Sequence, residues 1–182
     1  MIIGNAVTLI AFDEKYLEIV HKWINHPEVR IGTGSEGPVS DFEHKRWFEQ
    51  LILDRTQRVF IIAQGQKEET SPVGLVGLKH LNARSRSAEY WIYIGEPEAR
   101  RKGIAQEATR LIMGFGFNTL NLHRIFLAVL ATNVAALAMY RKLGLVHEGT
   151  ARHHHFDGGE FVDTLYFSML EKEFRDRNGH SA

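Results

Sequence analysis

Short apolar runs and apolar stripes at helical spacing divide the chain into predicted strands and helices. Amphipathic stripes predict four helices: one after Asp13, one opened by a capping box of Ser40 and Glu43, one starting near Ile104, and one over 134–143. Apolar runs bounded by polar turns predict seven strands, over 7–11, 59–63, 73–81, 88–94, 125–130, 145–156 and 160–169.

The order of these elements is β-α-α-β-β-β-α-β-α-β-β, which predicts a mixed α/β fold. It implies one mixed sheet with helices on both faces. Two connecting segments are predicted to be irregular, a flexible glycine-rich loop over 31–38 and a polar turn containing Glu68, Glu69 and Pro72. The charged tail after Glu171 is expected to fray.

A basic turn containing a glycine lies between the strand that ends at Ile94 and the helix that starts near Ile104. The free N–H groups of the first helical turn and the positive end of the helix dipole converge there, and Gly103 lets the backbone approach a ligand closely. The three cationic side chains at 100–102 indicate a ligand with more than one phosphate charge. The turn is neither a P-loop nor a dinucleotide fingerprint. Taken alone, it is also typical of a solvated loop.

Size and composition are those of a soluble globular protein. The chain of 182 residues suits a single domain over 1–182, with a core at about 7–170 and a charged tail at 171–182. The formal net charge is zero, so direct nucleic-acid binding through bulk charge is not expected. The absence of cysteine excludes a disulfide framework, a thiolate metal site and a cysteine nucleophile. No apolar run approaches the roughly 20 residues of a membrane helix and no signal-peptide pattern is seen, so a cytoplasmic location is expected.

Three short motifs, in order along the chain, carry a resemblance to a known family. Residues 100–105 match a Gln/Arg-x-x-Gly-x-Gly/Ala signature, and residues 131–136 form a strand-to-helix junction. Residues 140–145 match Tyr-x-Lys-x-Gly-Phe, with leucine in place of the phenylalanine. With these motifs the chain resembles the GNAT family of N-acetyltransferases, in the branch that contains ribosomal-protein N-terminal, spermidine and nucleotide-amino-sugar acetyltransferases. The resemblance covers about 7–170 and implies one strongly twisted mixed sheet of about six or seven strands.

The resemblance implies acetyl-CoA as cosubstrate and no metal. Main-chain amides near Gly103 would hold the pyrophosphate. Backbone N–H groups of the strand over 91–94 would pair with the pantetheine arm and polarise the thioester carbonyl, as an oxyanion hole does. The residues assigned to coenzyme binding on this basis are Trp91, Ile92, Tyr93, Ile94, Arg100, Arg101, Lys102, Gly103, Ile104, Ala105, Asn133, Ala136, Tyr140 and Lys142.

Direct attack of a primary amine on the thioester needs a proton donor and a proton acceptor. The resemblance gives the donor role to Tyr140, and a phenol with a pKa near 10 is well matched to a thiolate with a pKa of about 8 to 10. The alternative for Tyr140 is a purely structural role, as an amphipathic residue on a packed helix. Glu89 is the candidate general base, because it lies in a strand whose apolar run would not need an acid. The alternative for Glu89 is a structural ion pair with Arg84 or Arg86.

The sequence does not identify the amine that accepts the acetyl group. A protein N-terminus is slightly favoured over a small amine such as spermidine or an amino-sugar nucleotide. Glu36 is a candidate for holding a cationic substrate, and His153 and His155 are candidates for lining the substrate cleft. These two histidines would share a strand face, but no third ligand is evident, so a metal site is not expected. A homodimer stays open, and so does the alternative of a non-catalytic module that binds acetyl-CoA.

Overall fold

The computed structural model describes residues 1–33, 37–66 and 69–178, and these residues form eight strands and six α-helices. The strands are β1 (Ile2–Ile3), β2 (Val7–Ala11), β3 (Arg58–Gln66), β4 (Glu69–Asn82), β5 (Ser87–Ile94), β6 (Arg124–Leu130), β7 (Val146–Asp157) and β8 (Glu160–Leu170). The helices are α1 (Leu17–Ile24), α2 (Pro27–Thr33), α3 (Asp41–Leu53), α4 (Ile104–Gly114), α5 (Val134–Leu143) and α6 (Glu171–Asn178). None of the helices in these ranges is long and apolar enough to cross a membrane.

The eight strands lie in one mixed sheet in the order β1-β2-β3-β4-β5-β6-β8-β7. Among the strand registers that the structure describes, all are antiparallel except β5 with β6, which pair in parallel from Ser87 with Arg124 to Glu89 with Phe126. The predicted mixed α/β class is confirmed. The sheet has one strand more than the seven predicted, because the two-residue strand β1 pairs with β2 and is too short to give a sequence signal.

The described residues fall into two compact units. The first comprises Met1–Lys79 with Trp91–Ile112, and the second comprises His80–Tyr90 with Met113–Ala182, in each case as far as the chain is described. Whether the whole chain behaves as the single domain expected from its length stays a prediction.

In the first unit, α1 is fixed to the segment that follows β5. The indole N–H of Trp23 donates a hydrogen bond to Glu96 at 2.7 Å. Gly95 lies so close to the indole that a Cβ there would come within 2.1 Å of the ring, so only glycine fits. These contacts hold in place the segment that leads into the basic turn. The buried core around the indole consists of Val20, Trp23, Ile61 and Leu75.

In the second unit, α6 replaces the frayed tail that the sequence predicted, and that prediction is wrong as far as Asn178. The ring of Phe174 packs against Phe117 with centroids 5.1 Å apart. At the start of the helix, Glu171 is ion-paired with Arg86 at 3.6 Å. One aromatic packing contact and one ion pair therefore hold in place a segment whose composition is almost entirely charged.

Two segments predicted to be irregular contain regular structure at their described residues. Residues 31–33 of the predicted loop belong to α2, which continues to Thr33, whose hydroxyl donates to the Val29 carbonyl at 2.8 Å, and residues 34–36 lie outside the described residues. In the predicted polar turn, Glu68 lies outside the described residues, while β4 already includes Glu69 and Pro72. Pro72 is tolerated in the strand because the register with β3 shifts next to its partner, and such an irregularity does not need its missing N–H.

Candidate functional site

The basic turn lies in the first unit, directly before α4. The carbonyl of Gly103 accepts the N–H of Glu107 at 3.0 Å, so Gly103 occupies the N-cap position of the helix. Its φ is +80°, and none of the described atoms lies within 4 Å of the position a Cβ would take. A glycine cap has no side chain to accept the N–H groups of the first turn. The turn therefore offers those N–H groups, and the positive end of the helix, to an anion.

The three cations of the turn have different surroundings. The guanidinium of Arg100 donates to the Ile94 carbonyl at 3.2 Å and is ion-paired with Glu28. Arg101 and Lys102 are exposed, and Arg101 has a positive φ of 59°. Arg100 therefore stabilises the turn, and Arg101 and Lys102 are the side chains free to reach solvent.

The strand residues at 91–94 end β5 in the same unit. The rings of Trp91 and Tyr93 stack with centroids 6.1 Å apart. Immediately after the strand, the N–H groups of Gly95 and Glu96 both donate to the Val73 carbonyl, at 2.8 and 3.1 Å. Two successive donors on one carbonyl end the regular ladder at this point, as a bulge does.

Tyr140 lies in the second unit on α5, and its side chain is buried, with 6% exposure. The side chain of Asn133 caps this helix by accepting the Ala136 N–H at 3.1 Å, as predicted. The Tyr140 ring meets Tyr90 of β5 edge to face, with centroids 6.1 Å apart at 86°, and lies 6.3 Å from the ring of Phe167. Burial raises the pKa of Tyr140 to about 12, and a side-chain hydrogen bond with Tyr90 acts in the lowering direction.

This raised pKa predicts a loss of stability in alkali. The phenol of Tyr140 has a pKa of about 12 in the folded chain against 10.0 when unperturbed. Between about pH 10 and pH 12 the unfolded chain has lost a proton that the folded chain keeps, so the free energy of unfolding falls as pH rises through that window. The full contribution is on the order of 3 kcal/mol. Denaturant unfolding across this window should show that the free energy of unfolding falls less steeply with pH for Tyr140→Phe than for the wild type. Equal slopes would contradict the prediction.

Glu89 lies on β5 in the second unit, with 22% of its side chain exposed. Its carboxylate is 3.0 Å from Nδ1 of His80 on β4. Arg86, one of the two partners considered from sequence, donates instead to the Asn121 carbonyl at 2.7 Å and is ion-paired with Glu171. His80 has a φ of 54°, which lies in the left-handed region that residues with a side chain adopt uncommonly.

The remaining candidate residues are those proposed for substrate binding and Lys142 of the coenzyme site. The φ of His153 is 49°, its N–H donates to Asp163 at 2.8 Å, and the register of β7 against β8 shifts between Ala151 and His155. This irregularity breaks the alternation that was expected to place the two histidines on one face. Lys142 is exposed on the last turn of α5. Within the described ranges, no group of three or more His, Cys, Asp or Glu could hold a metal ion. Glu36 lies outside the described residues.

Two residues of the second unit were missed by the sequence reasoning. No sequence pattern indicated His80, since its positive φ and its contact across two strands depend on the fold. Tyr90 was missed because its contact with Tyr140 on α5 likewise depends on the fold. Of the predicted residues, the structure brings Asn133, Ala136 and Tyr140 together on α5, and Arg100 together with Ile94 beside the turn.

The basic turn and the capped helix α5 both lie within the part of the chain that matches a known family. The family model described as an acetyltransferase (GNAT) domain matches residues 6–146. The chain belongs to the GNAT family of acetyltransferases.

Its relatives narrow the class further. The spermidine N(1)-acetyltransferase of Escherichia coli (strain K12) is 30% identical over 172 residues, which are 94% of this chain and 89% of the relative. That of Vibrio cholerae is 29% identical over 176 residues, 96% of this chain and 99% of the relative. The crystal structure of the Vibrio cholerae spermidine N-acetyltransferase with CoA and spermine superposes with a TM-score of 0.88 at 28% identity, over 94% of this chain and 99% of that chain. The chain is therefore an acetyl-CoA-dependent N-acetyltransferase, as the resemblance implied.

Proposed function

We propose that the chain transfers the acetyl group of acetyl-CoA to a polyamine of the spermidine class. The observation that carries the proposal is the similarity to spermidine N(1)-acetyltransferase over 94% of the chain. The protein N-terminus, slightly favoured from sequence, is less well supported, because the two relatives described above, which match nearly the whole chain, are spermidine acetyltransferases. The small-amine alternative therefore becomes the main proposal. A homodimer stays a prediction.

Residues of the first unit are proposed to hold acetyl-CoA, which supplies the acetyl group as a thioester. The open glycine cap at Gly103 fits a pyrophosphate, since the first-turn N–H groups have no capping side chain. The exposed side chains of Arg101 and Lys102 would add charge, while Arg100 keeps the turn in shape through Glu28. The backbone over 91–94 would polarise the carbonyl.

Residues of the second unit are proposed to move the protons. Glu89 accepts a proton from the ammonium group of the acceptor, because only the neutral amine has a lone pair for attack. Tyr140 donates its hydroxyl proton to the sulfur as the carbon–sulfur bond breaks and the carbon–nitrogen bond forms, and the second proton, which the nitrogen loses as the amide forms, restores the Tyr140 hydroxyl. Asn133 holds the start of the helix that carries Tyr140.

The function is tested by following free CoA thiol with acetyl-CoA and a panel of amines. The panel contains spermidine, spermine, an amino-sugar nucleotide and peptides with free N-termini, and mass spectrometry identifies each product. We expect turnover with spermidine or spermine well above the rate without amine. Acetylation of a peptide in the absence of polyamine turnover would overturn the acceptor assignment, and no turnover with intact coenzyme binding would favour a non-catalytic module.

Gly103→Ala is expected to weaken acetyl-CoA binding by about tenfold or more in calorimetry. Alanine at a φ of +80° is strained by about 1–2 kcal/mol, and its methyl group would occupy the open space over the turn. Gly158→Ala in the β7–β8 turn is the matched control, since Gly158 also has a positive φ, of +59°, and none of the described atoms within 4 Å of its Cβ position. Equal coenzyme affinity in the two variants would remove the Gly103 turn from the binding site.

A further inference from the structure

Tyr90 is a buried polar residue that the proposed reaction does not yet use. It lies on β5 next to Glu89 with only 2% exposure. Its ring meets Tyr140 edge to face at 6.1 Å and 86°, and the two side chains are joined by a hydrogen bond. Both rings belong to the second unit, so this pair is formed by β5 and α5 alone.

We infer that Tyr90 is a positioning residue for Tyr140: its hydroxyl donates to the Tyr140 oxygen, so that the Tyr140 proton is directed away from Tyr90 and the phenolate left by proton transfer is stabilised. This inference rests on the proposed function, because it assigns Tyr90 a part in the step that Tyr140 performs.

The physical need for such a donor comes from the burial of Tyr140. A phenol that gives its proton to a departing thiolate becomes an anion, and an anion in apolar surroundings is unfavourable. Burial indeed raises the pKa of Tyr140, which makes it a weaker acid, and the hydrogen bond with Tyr90 lowers that pKa. A hydrogen bond to an ionised oxygen is stronger than one to a neutral oxygen. Tyr90 therefore stabilises the product of proton transfer more than its reactant.

Of the two described rings that contact Tyr140, the Tyr90 ring carries the hydroxyl donor. Among the ring contacts that the structure describes for Tyr140, the second is Phe167 of β8, which has no polar atom. Beyond Phe167 lies His147 of β7, with ring centroids 5.2 Å apart, and its Nε2 is 3.1 Å from the Thr150 hydroxyl. On α5 itself the neighbouring charged residues, Arg141 and Lys142, are exposed.

Tyr90→Phe tests the inference, because phenylalanine keeps the edge-to-face packing and removes only the hydroxyl. We expect kcat for acetyl transfer to the acceptor amine to fall about five- to twentyfold. The KM values of acetyl-CoA and of the amine should change by less than about twofold. In a Tyr140→Phe background the same substitution should have almost no further effect, since the hydroxyl it served is gone. Tyr166→Phe on β8 is the control and should leave kcat unchanged.

A second measurement does not depend on turnover. In protein labelled with ¹³C at the tyrosine ring, the Tyr140 signal is assigned by its loss in Tyr140→Phe, and its ionisation is followed by NMR as pH rises. Tyr90→Phe should move that ionisation to higher pH, and Tyr166→Phe should not. If Tyr90→Phe leaves the Tyr140 ionisation at the same pH, the inference is overturned even when no amine is acetylated. It is also overturned if Tyr90→Phe lowers kcat as much in the Tyr140→Phe background as in the wild type. A chain that acetylates none of the amines but shows the shift would refute the proposed function and leave the tyrosine pair established.

Discussion

Tyr140→Phe is expected to lower turnover by about ten- to a thousandfold while acetyl-CoA affinity stays nearly unchanged. Phenylalanine fills the same buried space on α5 and keeps the ring contacts with Tyr90 and Phe167. Only the hydroxyl is lost, so the thiolate must leave without a proton from the protein. The effect should therefore fall on the chemical step and leave binding of the coenzyme intact.

The measurement is single-turnover acetyl transfer, which separates chemistry from product release, together with calorimetry of acetyl-CoA binding. Tyr166→Phe, a phenol of the same unit outside the proposed machinery, should behave as the wild type. Unchanged turnover of Tyr140→Phe while chemistry limits the rate would remove Tyr140 from the mechanism. A large loss of coenzyme affinity would make it a binding residue instead.

Local signals predicted the elements whose ends are fixed by nearby residues. The capping box at the start of α3 forms both of its hydrogen bonds, between Ser40 and Glu43. As predicted, the side chain of Asn133 caps the start of α5, and the left-handed Gly144, with a φ of 86°, ends the helix. The helix α6 was missed because its order depends on Phe174 packing against Phe117, a contact between residues far apart in sequence. Composition alone cannot show such a contact.

The same distinction holds for the candidate site. Motif spacing was sufficient to make Gly103 and Tyr140 candidates, since each belongs to a run of about six residues. It could not show that Arg100 is held by Glu28, which lies 72 residues earlier in the chain. Three adjacent cations therefore look equivalent in sequence, while their surroundings separate one that supports the turn from two that reach solvent.

Glu89→Gln is expected to lower kcat/KM for the amine by about ten- to a thousandfold at neutral pH, and the loss should shrink as pH rises. Glutamine has nearly the same shape and can still accept a hydrogen bond from His80, which lies 3.0 Å from the carboxylate. It cannot take up a proton. At higher pH the amine is already neutral in solution, so the missing base matters less. The measurement is the pH profile of kcat/KM for the acceptor.

The shape of that profile separates a base from a binding residue. If Glu89 only attracts a cationic amine, Glu89→Gln would raise KM and leave kcat unchanged, because the lost attraction is equal in the ground state and the transition state. If Glu89 is the base, kcat falls at neutral pH and recovers in alkali. Glu49→Gln, an exposed acid on α3, is the control for a general change in charge. A loss of the same size at every pH would exclude the base role, and the pair of Glu89 with His80 would then be a structural contact between two strands.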